Sequence, residues 1–209
     1  MSKKRATEII RLLGQKYPDA GVALLHKNPF ELLIATILSA QSTDVQINKI
    51  TKVLFKKYQS PIDFARAPLE EIEIDIKSSG FYKNKAKNIQ KTCEILANVY
   101  DSKVPRTMAE LITLPGVARK TANIVLSGGF GTIDGIPVDT HVKRLSQRLG
   151  LSKNTDPNKI EKDLMKIVPK VDWFNISNLL IFHGRAVCNA RRPRHENCIL
   201  YDLCPSRDM

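Results

Sequence analysis

Apolar residues in this chain recur at helical spacing almost everywhere, and the two-residue alternation of a half-buried strand is nearly absent. Ala6, Ile9, Ile10 and Leu13 form one stripe, and Ile89, Cys93, Leu96 and Tyr100 form another. From Phe30 to Leu38 apolar side chains point in all directions, as in a helix enclosed on every side. Helix-start signals recur at Asn28-Pro29 with Glu31, Ser60-Pro61, Thr107 with Glu110, and Asp156-Pro157. Each sets a capping side chain or a first-turn proline at the right place. The expected fold class is therefore all-α, built from about ten short helices. Cys93 reads as a small core residue without chemistry.

A length of 209 residues suffices for one large domain or two small ones, and 43% hydrophobic content with no low-complexity tract marks a globular chain. The helical run breaks at Ser127-Gly128-Gly129-Phe130-Gly131 or at Asp134-Gly135-Ile136-Pro137, where a loop joins two lobes or turns a corner. The net charge of +12 has no acidic block to balance it. Such a field draws polyanions, nucleic acid first and a membrane surface second. The start, Met1-Ser2-Lys3-Lys4-Arg5, is basic and leads into an amphipathic pattern, unlike a signal peptide. The longest apolar-rich uncharged run, Leu32 to Thr43, falls short of the ~20 residues that span a bilayer. A soluble, intracellular protein is expected.

Chemistry concentrates in three places. The first is Leu114-Pro115-Gly116-Val117-Ala118-Arg119-Lys120. A turn that opens straight into a helix leaves several N–H groups with no intrahelical partner, and these favour a phosphate. Two helices meet there, one begun by Thr107 and one running from Ala118 to Leu126, with Gly116 and Ala118 small where a nucleic-acid backbone approaches. Lys120 stands beside that phosphate site, either as a nucleophile or as a solvated lysine. The second is Val138-Asp139-Thr140-His141, where the spacing makes Asp139 a helix cap first, a role compatible with handling a proton or a developing cation. The third is Cys188, His195, Cys198 and Cys204, four soft or borderline ligands at spacings x6, x2 and x5. Three of the chain's four cysteines fall within 17 residues, so a metal site is expected, with Arg191, Arg192 and Arg194 on its first loop directed at phosphates.

These motifs, with Leu38-Ser39-Ala40-Gln41 and His183-Gly184-Arg185, together resemble the endonuclease III family of bifunctional DNA glycosylases and abasic-site lyases. The likeness runs from about residue 6 to residue 205. It implies two helical lobes flanking a DNA-binding cleft, one lobe of residues 22–132 and the other of residues 1–21 plus 133–209, the latter carrying the metal loop. The implied substrate is double-stranded DNA with oxidised pyrimidines or abasic sites, bound by a monomer with no membrane partner. The implied location is the bacterial cytoplasm, with the nucleoid. The target nucleotide is flipped from the stack. Lys120 then attacks C1′ to form an imine, which needs an unprotonated amine in a desolvated setting. Asp139 stabilises the cation and shuttles a proton. Gln41 fills the gap left by the base, Phe81 wedges the opposite strand, and His141 contacts the backbone. Lys83, Lys85 and Lys87 reach flanking phosphates or form a solvated face.

Three positions depart from the family pattern. Ala118 replaces a second glycine, Phe81 an aliphatic wedge, and His195 the second of four cysteines. The expected cofactor is a [4Fe–4S] cluster with His195 as fourth ligand, structural in role. Zinc held by three cysteines and one histidine is the alternative, as is an incomplete cluster with His195 merely nearby. A monofunctional mismatch glycosylase and a non-catalytic helix-hairpin-helix binder are the competing functions.

Overall fold

The computed structural model describes residues 3–207; Met1 and Ser2 of the basic start, and Asp208 and Met209, lie outside that range. Among the described residues there are eleven α-helices and no strand. In chain order they are α1 (Lys3–Lys16), α2 (Pro29–Ser39), α3 (Asp44–Lys57), α4 (Pro61–Arg66), α5 (Leu69–Asp75), α6 (Tyr82–Val99), α7 (Met108–Leu111), α8 (Arg119–Phe130), α9 (Thr140–Arg148), α10 (Pro157–Ile167) and α11 (Trp173–Ala186). Short 3₁₀ turns at Lys77–Ser79, Lys170–Asp172, His195–Asn197 and Tyr201–Leu203 complete the set.

The start signals act through the side chains that carry them. Asn28 Oδ1 accepts from the Glu31 N–H at 2.9 Å, and Asp156 Oδ1 from the Lys159 N–H at 3.0 Å. Ser60 and Asp63 form a reciprocal capping box, and Thr107 Oγ1 accepts from the Glu110 N–H. Such a cap contributes about 1 kcal/mol.

Contacts divide the chain into two units, one from Val22 to Thr132 and one combining the N-terminal residues through Gly21 with Ile133 onward. In the first, α2 is the central helix, with Phe30 and every residue from Leu32 to Leu38 buried. Each of its leucines and isoleucines contributes about 1.5–3 kcal/mol through apolar burial. Helix α8 lies along α2 at short range. A Cβ on Gly128 would come within 2.9 Å of Leu32 Cδ2, so glycine there permits the close approach. Of the two stretches offered for the break, Ser127–Phe130 completes α8, which ends at Gly131 with φ +66, and Asp134–Pro137 lies in the non-helical segment before α9. Packing against α2 sustains the helix through both glycines. The second unit closes around α1, α9, α10 and α11, with Ala6, Ile9, Ile10 and Leu13 buried as their spacing requires. No helix of the described residues is long and apolar enough to cross a membrane.

Candidate functional site

The Leu114–Lys120 segment forms a tight hairpin between α7 and α8. Gly116 takes φ +77, and a Cβ there would meet Asn88 Cβ and Nδ2 at 3.1 Å, so both conformation and space demand glycine. Helix α8 starts at Ala118 with no side-chain cap. A helix start of that kind suits a phosphate, and Gly116, Ala118 and Lys120 are all exposed around it. Lys120 is thus presented to solvent, contrary to the expected desolvated setting, because α8 begins at the surface and only its later turns enter the core.

Asp139 caps α9: its Oδ1 accepts from the Val142 N–H at 2.8 Å. That bond engages one carboxylate oxygen. His141, in the first turn of α9, packs against Gly184, and its Nδ1 lies 3.2 Å from Arg144 Nη2. The ring is half-buried and held within its own unit. Arg191, Arg192 and Arg194 are exposed on the loop after α11.

Gln41 and Phe81 are both exposed and both left-handed, with φ of 55 and 49. Phe81 leaves 66% of its surface to solvent, so it is no core residue. Lys83 and Lys87 face solvent as a charged face does, whereas Lys85 is buried and does not reach a surface phosphate. Its spacing places it on the inner side of α6, beside Ala86 and Ile89.

Cys188, His195, Cys198 and Cys204 line one cavity of about 450 Å³, including space open to solvent, with His183 and Arg148 in its wall. All three thiols are free of disulfides. Among the described residues no three His, Cys, Asp or Glu side chains are gathered to hold a single metal ion. Three thiols and an imidazole around a shared space are a suitable donor set for a soft polynuclear group. The loop is pinned by arginines that sequence reasoning missed. Arg148 donates to the Asn189 carbonyl at 2.7 Å, the Ala190 carbonyl at 2.8 Å and Cys188 Sγ at 3.3 Å. Arg144 donates to the carbonyls of Gly184 and Cys188. Arg5 reaches those of Leu149 and Leu203. Nothing local distinguishes these arginines from solvated ones; only the i, i+4 spacing of Arg144 and Arg148 hinted at a shared face. His183 is buried, and that burial pulls its pKa down to about 4.

Residues 34–170 match the family model described as HhH-GPD superfamily base excision DNA repair protein. The chain belongs to that superfamily. A member from Synechocystis sp., named endonuclease III, is 55% identical over 98% of this chain and 93% of its own length. A solved structure described as a trapped endonuclease III–DNA covalent intermediate superimposes with a TM-score of 0.94 at 48% identity, over 99% of this chain and 97% of the other. Another superfamily structure, a thermostable thymine-DNA glycosylase, gives 0.87 at 25% identity over 98% and 97%.

Proposed function

We propose that Lys120 is the nucleophile of a base-excision DNA glycosylase and abasic-site lyase that removes oxidised pyrimidines. The chain is an enzyme of the endonuclease III kind. What supports the role of Lys120 is its position: an exposed amine within the first turn of an uncapped helix, beside a glycine turn that suits a phosphate. By likeness to the covalent complex, a covalent step with DNA is the expected chemistry. The Lys120 amine attacks C1′ of the flipped nucleotide, the C1′–N bond breaks, and the base leaves. The sugar opens to an imine with Nζ. Loss of a C2′ proton then expels the 3′ phosphate by β-elimination. Because Lys120 is exposed, the duplex itself must supply the water exclusion that this chemistry requires.

Asp139 stabilises the developing sugar cation and moves a proton, using the carboxylate oxygen that the cap leaves over. Gly116 and Ala118 seat a phosphate, while Arg191, Arg192 and Arg194 add charge-dependent grip. Gln41 fills the space of the flipped base, and Phe81 wedges the facing strand. His141 contacts the DNA backbone. The partner is duplex DNA with damaged pyrimidines or abasic sites, and the enzyme works as a monomer in the bacterial cytoplasm, with the nucleoid.

Cys188, His195, Cys198 and Cys204 would hold a [4Fe–4S] cluster that shapes the basic loop. Three thiols and an imidazole around one cavity support that donor set, and zinc held by the same four residues is the alternative. Iron and sulfide analysis of His195→Cys and His195→Ala tests the fourth ligand: the cysteine variant keeps a full cluster and the alanine variant does not. Equal loading of the two would exclude His195.

Borohydride trapping tests the catalytic reading. Wild-type protein becomes covalently linked to a duplex with thymine glycol or an abasic site, and Lys120→Ala does not, although it still binds DNA. A monofunctional glycosylase, the alternative reading, releases base without trapping.

A further inference from the structure

Lys85 is 5% exposed, yet no carboxylate pairs with it among the described residues. Its ammonium donates instead to two backbone carbonyls, Leu38 O and Ser79 O, each at 2.7 Å. Burial lowers its pKa. A lysine in such a place is costly unless its hydrogen bonds matter.

The two carbonyls belong to segments far apart in the chain. Leu38 closes the last turn of α2, where unpaired carbonyls and the negative end of the helix dipole favour a cation. Ser79 ends the 3₁₀ turn before Gly80 and Phe81. Gln41 lies three residues beyond the first tether and Phe81 two beyond the second. Both hold left-handed backbones that non-glycine residues adopt only where the surroundings impose them. The Lys85 amide also donates to the Phe81 carbonyl at 3.2 Å, so one residue holds that turn from both sides. A second link, Gln46 Nε2 to Ser78 Oγ at 3.0 Å, ties the start of α3, just after the Gln41 turn, to the same 3₁₀ turn at the surface.

We propose that Lys85 is a positioning residue that makes the Gln41 turn and the Phe81 turn one rigid two-pronged element, whose prongs enter the duplex together. The inference rests on the roles given above to Gln41 and Phe81. A neutral apolar side chain at 85 would fill the same space but leave two buried carbonyls unpaired. Both turns would then relax, and the entropy of ordering them would be lost on each binding event.

The test uses the holoenzyme and Lys85→Met, which is close in length and uncharged, with Lys85→Gln carrying the same readouts should the methionine variant not fold. Amide hydrogen exchange is followed at residues 40–42 and 80–82. Binding is compared between a duplex holding a tetrahydrofuran abasic analogue and its undamaged counterpart. Exchange is expected to rise at both turns together while the α2 and α8 cores stay protected. Preference for the abasic duplex is expected to fall about tenfold. Gln41→Ala and Phe81→Ala, strongly non-additive in the wild-type background, become additive once Lys85 is replaced. Loosening at one turn alone, or an unchanged preference with both turns loosened, would overturn the inference. Should Gln41→Ala and Phe81→Ala both leave the preference intact in wild-type protein, the earlier reading of those two residues falls, and this one with it.

Discussion

His183 Nε2 lies 3.5 Å from Cys198 Sγ, and nothing in the local sequence connects them. On the other side of the ring, Nδ1 lies 3.1 Å from the Tyr17 hydroxyl on the loop after α1. With the proposed cluster bound, the Cys198 thiolate would only accept, and the matching tautomer has the Tyr17 hydroxyl donating to Nδ1 and Nε2–H donating to sulfur. His183→Phe is therefore expected to lower iron retained per protein several-fold under chelator challenge, with Tyr17→Phe producing a smaller loss. Unchanged retention in His183→Phe would remove the imidazole from the metal centre's support.

Asp139 combines a cap and a candidate catalytic carboxylate, and two substitutions separate them. Asparagine caps as well as aspartate, so Asp139→Asn should leave stability within a few tenths of a kcal/mol while strand cleavage falls by about 10²-fold. Asp139→Ala loses the cap as well, at about 1 kcal/mol. Denaturant melts beside single-turnover cleavage give both numbers. Full activity in Asp139→Asn would reduce the residue to its cap.

Gly116→Ala should cost about 1–3 kcal/mol, because a φ of +77 is strained for alanine and Asn88 crowds the new Cβ. Adding Asn88→Ala relieves the crowding and leaves the backbone cost. DNA affinity should follow the same order in gel-shift titrations. A Gly116→Ala protein as stable as wild type would show that the hairpin re-forms without its left-handed turn.

Asp163 on α10 accepts from Ser152 Oγ at 2.6 Å and Asn154 Nδ2 at 2.7 Å, and these bonds, Ser152 first, hold its carboxyl below the ordinary value of 3.8. A folded value below the unfolded one means stabilisation that is complete above the unfolded value and disappears as pH falls through the folded one. Urea unfolding of wild type and Asp163→Asn should thus differ at about pH 6 and converge near pH 2. A gap that widens in acid would contradict the assignment.

The helical class and most helix starts were legible because caps and apolar stripes are local. Asn28, Ser60, Thr107 and Asp156 act within three residues of themselves. The hairpin was legible for the same reason, since glycine and an uncapped helix start are adjacent in the chain. Lys85 was legible only in part. Helical spacing sets it on the inner side with Ile89, unlike Lys83 and Lys87, but the carbonyls of Leu38 and Ser79 that receive its ammonium come from elsewhere in the chain. The left-handed turn at Gln41 carries no glycine or asparagine to announce it, and at Phe81 the neighbouring Gly80 marks a turn without showing that Phe81 is left-handed too. Arg148 reads as a solvated residue until a loop some forty positions later folds onto it.

Helix α9 carries Asp139 at its entrance and Arg148 in its last turn, a span of about 14 Å at 1.5 Å per residue. The same short rod therefore steers a carboxylate with one end and grips the cysteine loop with the other. On the proposed reading, loss of the cluster should blunt strand cleavage remotely, because the loop that Arg148 holds and the carboxylate at Asp139 share this one helix.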